Sequence, residues 1–107
     1  MRIAKGPPLA RGTKSSVVPS RERAESLALQ ALTFLAEEHE RIHGFLQLTG
    51  LEVAELPGRI SEPEFLLAVL DHLASSEILL LDFAHGLNLQ PEMVGHARRA
   101  LGGGDAD

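Results

Sequence analysis

Hydrophobic residues recur with the period of an α-helix along most of the chain after residue 20. In the first such segment nearly all positions are apolar, apart from a polar set spaced by four, three and four residues: Ser26, Gln30, Thr33 and Glu37. This spacing places the polar side chains in one narrow stripe along a helix. We therefore predict a largely buried first helix that begins after Ser20, whose hydroxyl can cap it.

Three further segments carry helix start signals ahead of an apolar stretch. Ser61 and Glu64 have the spacing of a capping box, and Pro63 suits the first turn of a helix that continues as FLLAVLDHL. Ser76 can cap the segment EILLLDFAHG, and Pro91 opens the segment PEMVGHARRAL. No stretch shows the period of two that a half-buried strand requires. The predicted fold class is all-α, a compact bundle of five or six short helices.

The chain matches itself when residues 27–60 are shifted by 38 positions, without a gap. The identical pairs lie at positions expected in a core, among them Phe45 with Phe83. Gly50 and Asn88 also coincide, at points where a left-handed residue should end a helix. We therefore predict two pseudo-symmetric helical units related by the 38-residue offset, the alternative being a coincidence between leucine-rich helices.

Charge and proline content separate two tails from the helical part. The first 23 residues carry six basic side chains and one acidic, whereas residues 24–107 carry four basic and fourteen acidic. Residues 1–20 contain three prolines and have no helical period, so we predict a disordered basic arm there. A helical domain at 21–102 and a disordered tail at 103–107 complete the predicted organisation. The arm has no aromatic residue to stack on bases, so nucleic acid is not the expected partner.

Cysteine usage and hydropathy bear on the compartment. The chain contains no cysteine, which removes disulfides and thiolate metal sites. Its N-terminal segment lacks the apolar stretch of a signal peptide, and no segment approaches the roughly 20 apolar residues of a membrane span. We therefore expect a cytoplasmic protein without a membrane partner.

One short motif matches a catalytic pattern. His39, Glu40 and His43 have the spacing H-E-x-x-H, in which two histidines bind zinc and the glutamate activates a bound water. Against this, His39 directly follows the predicted end of the first helix, Arg41 places a cation between the histidines, and no strand is predicted to align a peptide. No residue, His72 included, is favoured as a third ligand. We therefore predict no enzyme, no cofactor and no metal site. His39 and His43 are the candidate ligands if a metal does bind, and a zinc-dependent hydrolase is the alternative.

A run of four aliphatic residues, Ile78 to Leu81, predicts a different kind of site. At 100° per residue the run covers about 300° of a helix surface, so these side chains cannot all face one core. The offset of 38 aligns Leu79 and Leu81 with polar residues of the first unit. We predict that Leu79, Leu81 and Phe83 form an apolar interaction surface for another protein or for a second copy of this chain. The alternative is that the last helix or the arm covers it.

A resemblance to a known family rests on six segments, which are ALQALTFLAEE, RIHGFLQLTGL, EPEFLLAVLDHL, ILLLDFA, GLNLQPE and ARRAL. In this order they resemble a small alpha-proteobacterial family filed as a domain of unknown function, over residues 24–102. In the family pattern Asp and Pro stand at Glu38 and His39, as cap and first helical residue. The resemblance therefore implies no catalytic residue, and it suggests a link with cell-cycle or response-regulator proteins. The predicted function is a non-enzymatic helical interaction or regulatory module.

Overall fold

The computed structural model describes residues 19–102. Within that range there are six α-helices and no strand, which confirms the all-α class and the predicted number of helices. The helices are α1 (Arg21–Ala36), α2 (His39–Thr49), α3 (Leu56–Arg59), α4 (Pro63–Ala74), α5 (Glu77–Leu87) and α6 (Glu92–Ala100), with a 3₁₀ turn at Val53–Glu55. The predicted C-terminal tail and all but the last two residues of the predicted arm lie outside the described residues.

The centre of the bundle is formed by α1, α4 and α6, which pack against one another. Helix α2 packs against α1, and α5 packs against α4. No polar or charged side chain is buried in residues 19–102, so every group there that could do chemistry lies at or near the surface. In the same range no helix is both long and apolar enough to cross a membrane.

Two of the predicted N-caps are formed by serine. The Oγ of Ser20 accepts a hydrogen bond from the Arg23 N–H at 3.1 Å, and the Oγ of Ser76 accepts one from the Leu79 N–H at 3.3 Å. Each bond satisfies a backbone donor that has no partner within its own helix. Ser20 and Ser76 therefore explain why α1 and α5 begin where they do.

The capping box predicted for Ser61 and Glu64 is wrong, because the cap of α4 is Glu62. Glu62 has φ −91° and ψ 123°, and its side chain makes no capping hydrogen bond. The physical reason is Pro63, whose ring forces Glu62 into an extended conformation. The helix therefore begins at Pro63, one position too late for Ser61 to cap it. The Glu62 carboxylate instead accepts a hydrogen bond from Arg59 at 3.2 Å.

Helix bounds repeat at the offset of 38 residues. Helices α1 and α4 end at Ala36 and Ala74, and the bounds of α2 shifted by 38 are those of α5. Each of the latter two ends in a left-handed residue as predicted, Gly50 with φ 77° and Asn88 with φ 59°. The helices that follow α2 and α5 differ. Helix α3 has four residues and buries none, whereas α6 has nine and packs on α1 and α4. The agreement is therefore local, and the pseudo-symmetry of the bundle stays a prediction.

Two aromatic contacts also correspond at this offset. The rings of Phe34 and Phe83 meet edge to face with centroids 5.5 Å apart and planes at 65°. The rings of His72 and Phe45 do the same at 5.5 Å and 60°. The offset pairs Phe34 with His72 and Phe45 with Phe83, so α1 contacts α5 as α4 contacts α2. A two-fold relation between two helical hairpins would produce this exchange of partners.

Candidate functional site

Helix α5 presents an apolar face to solvent. Ile78 is 74% exposed and Leu81 is 46% exposed. Side chains three positions apart on a helix are neighbours, so these two form one apolar pair. Leu79 and Leu80 are partly buried and pack against the core, and Phe83 lies in the core. The pair is thus what remains uncovered after α5 has docked on α4.

The structure places the three predicted interaction residues differently. Leu81 is exposed, Leu79 is partly buried, and Phe83 is only 2% exposed because its ring packs into the core of the chain. Ile78 was missed, although it is more exposed than any of them. A signal for it was available, since the residue 38 positions before Ile78 is Glu40, a charged residue on the corresponding helix.

The charged side chains of α5 border the apolar pair with negative charge. Glu77 and Asp82 are exposed, and α5 contains no lysine or arginine. His85 is also exposed, one turn further along. The surface therefore combines two aliphatic side chains with carboxylates at its edge.

A shallow groove of about 300 Å³ lies between α1 and the C-terminal half of α5. It is lined by Gln30, Thr33, Phe34, Glu37, Phe83, Gly86 and Leu87.

Arg41 contacts Phe34, one of the residues that line this groove. Its guanidinium carbon lies 4.0 Å from the centroid of the Phe34 ring, and its Nη1 donates to the Phe34 carbonyl oxygen at 3.2 Å. A cation over an aromatic face is attracted by the ring quadrupole. Arg41 therefore connects the start of α2 to the end of α1.

The two histidines of the H-E-x-x-H motif lie together on the exposed side of α2. Their ring centroids are 5.7 Å apart and the ring planes differ by 15°. His39 is the first residue of the helix, as predicted, and follows the extended cap residue Glu38. Arg41 does not stand between His39 and His43, because it is directed to Phe34 on α1. In residues 19–102 no group of three or more His, Cys, Asp or Glu side chains is placed to hold a metal ion.

His72 lies on α4, where its ring is only partly exposed to solvent. Partial burial desolvates the imidazolium and lowers the pKa of His72 below its ordinary value. Its ring lies edge-on to Phe45, which is fully buried. The neighbouring Asp71 forms an ion pair with Arg98 that joins α4 to α6. We assign these groups to the support of the bundle, because they occur at contacts between helices.

Comparison with known proteins gives one result. A family model described as a protein of unknown function, DUF3572, matches residues 21–104. Searches of curated proteins and of solved structures give no match. The matched range includes all six helices and confirms the resemblance to a domain of unknown function. Since the match covers well over half of the chain, the protein belongs to the DUF3572 family.

Proposed function

We propose that this protein is a non-enzymatic interaction module that acts in the cytoplasm and makes contact through α5. The observation that carries the proposal is the pair of aliphatic side chains at Ile78 and Leu81, 74% and 46% exposed on one face. Burying a large aliphatic side chain contributes about 1.5–3 kcal/mol. Single exposed hydrophobic residues are common, whereas a pair that continues through Leu79 and Leu80 into the core offers a larger apolar surface.

A second copy of the chain is the occupant that we propose for this surface. Two α5 helices that cross in opposite directions about a two-fold axis can place Ile78 of each copy against Leu81 of the other. Glu77 and Asp82 then bring like charges towards each other. Because salt screens exposed charges, such a dimer should become tighter as the ionic strength rises. A basic partner protein would show the opposite dependence, since its attraction to the same carboxylates would weaken.

Sedimentation velocity of Leu81→Glu tests this proposal. Leu81 is exposed, so the change should leave helicity intact while it places a charge in the contact. We expect the wild type to associate with rising concentration and Leu81→Glu to remain monomeric. The matched control is His43→Glu, which places the same glutamate at the exposed counterpart on α2. It should associate like the wild type.

Two outcomes would contradict the homodimer. One is a wild type that stays monomeric at high micromolar concentration, and the other is a Leu81→Glu variant that associates as the wild type does. Leu79→Glu is less suitable, because Leu79 packs against the core and a charge there would disturb folding.

The zinc-dependent hydrolase is not proposed, because no observation favours it. The motif supplies His39 and His43, and residues 19–102 offer no cluster of three metal-binding side chains. The link with cell-cycle or response-regulator proteins rests on the family resemblance alone, and it stays a prediction.

A further inference from the structure

We propose that His39 and His43 form a two-ligand site for a divalent first-row transition metal ion, independent of the interaction surface on α5. The site consists of two imidazoles one helical turn apart on α2, and water would complete the coordination of the ion. No catalytic role is part of the proposal.

The geometry of the pair is the first support. Both side chains are exposed, and their rings lie nearly parallel with centroids 5.7 Å apart. Imidazole nitrogens bind zinc at about 2.0–2.1 Å, so two nitrogens on one ion lie within about 4 Å of each other. Residues four apart share a helix face. Exposed side chains can therefore close the remaining distance by rotation about their own bonds, without moving the helix.

The surrounding charges are the second support. The cation nearest in sequence, Arg41, is held over the Phe34 ring of α1 and also lies 3.8 Å from the Glu38 carboxylate. It is therefore engaged away from the face that His39 and His43 share. The N-terminal end of a helix disfavours a bound cation, but the exposed Glu40 adds negative charge next to His39 and opposes this effect.

The chemistry of the donors selects the ion. Neutral imidazole suits copper, nickel and zinc, whereas magnesium and calcium prefer oxygen ligands. Because the protein supplies only two ligands, the ion should exchange freely and be removed by a chelator. The site thus differs from a structural zinc centre, which is closed by four protein ligands.

Isothermal titration with nickel chloride tests the proposal on the full chain. We expect one saturable site in the wild type, and a loss of affinity of about tenfold or more in His39→Ala and in His43→Ala, because either change breaks the chelate. His85→Ala is the matched control, since it removes an exposed histidine from α5 and should leave nickel affinity unchanged. Magnesium chloride should give no saturable binding to the wild type.

A second readout is the melting temperature. An ion held by both histidines binds only the folded helix. It should therefore raise the melting temperature of the wild type, but not that of either alanine variant. The proposal is overturned if the wild type shows no saturable nickel binding, or if either single variant binds nickel as tightly as the wild type. Neither result bears on the proposed dimer, because Ile78 and Leu81 are unchanged in these variants.

Discussion

At the scale of the residue, the partial burial of His72 makes the stability of the fold depend on pH. The pKa of His72 is lowered by desolvation, so the unfolded chain takes up this proton more readily than the folded chain. Above the ordinary histidine value of 6.5 both states are neutral and the group contributes nothing. As the pH falls through that value, the free energy of unfolding should decrease.

The variant His72→Phe should remove this part of the pH dependence. Phenylalanine can keep the edge-to-face contact with Phe45, as Phe34 does with Phe83 at the corresponding place. Urea unfolding at about pH 8 and about pH 5 measures the difference, with carboxylate effects common to both proteins. If His72→Phe loses as much stability between the two pH values as the wild type, the assignment to His72 is incorrect.

Local residue roles could be predicted from the sequence only where neighbours in the chain determine them. The left-handed conformations of Gly50 and Asn88 were predicted, because a helix end imposes them on the residue that follows. The direction of Arg41 was not, because it depends on the Phe34 ring of another helix. The guanidinium therefore lies over Phe34 and not between His39 and His43, where the sequence alone placed it.

At the scale of the element, the end of α2 depends on the backbone freedom of Gly50. Gly50→Ala should lower the free energy of unfolding by about 1 kcal/mol, because an alanine is strained in the left-handed region. Nothing lies within 4 Å of a Cβ added at Gly50 or at Gly44, so steric clashes do not enter. Gly44 lies inside the same helix, and Gly44→Ala should stabilise the protein by about 0.5–1 kcal/mol.

Chemical denaturation of the two alanine variants checks both signs at once. A Gly50→Ala variant as stable as the wild type would show that α2 does not need a left-handed end. A loss of stability in Gly44→Ala would show instead that this part of α2 is not helical in solution.

The short helix α3 is an element that the pattern of apolar residues did not predict. The sequence contains Pro57 and Gly58 inside α3, and these residues are poor helix formers. They account for a helix of four residues at the place where the second unit has α6. The ungapped offset treated these segments as equivalent, and the difference in their docking depends on contacts with α1 and α4 that a comparison of sequences does not contain.

At the scale of the whole molecule, the exchanged aromatic contacts connect the two halves of the chain. Aromatic pairs contribute about 0.5–1.5 kcal/mol beyond the area that they bury. A double-mutant cycle with Phe34→Leu and Phe83→Leu should therefore give a coupling energy in this range, measured by urea unfolding. Phe34 and Phe65 belong to different aromatic contacts, so the cycle between them is the control and should be additive. Additive behaviour of Phe34 and Phe83 would contradict the contact.

Amide chemical shifts followed by NMR over a dilution series test most directly whether α5 carries the interaction surface. Between about 10 μM and about 1 mM, a dimer with a dissociation constant in this range would change from mostly monomer to mostly dimer. We predict concentration-dependent shifts at Glu77 to His85, centred on Ile78 and Leu81, with the exposed face of α2 unaffected. Shifts that do not change with concentration, or that change on α2 and not on α5, would show that α5 is not the interaction surface.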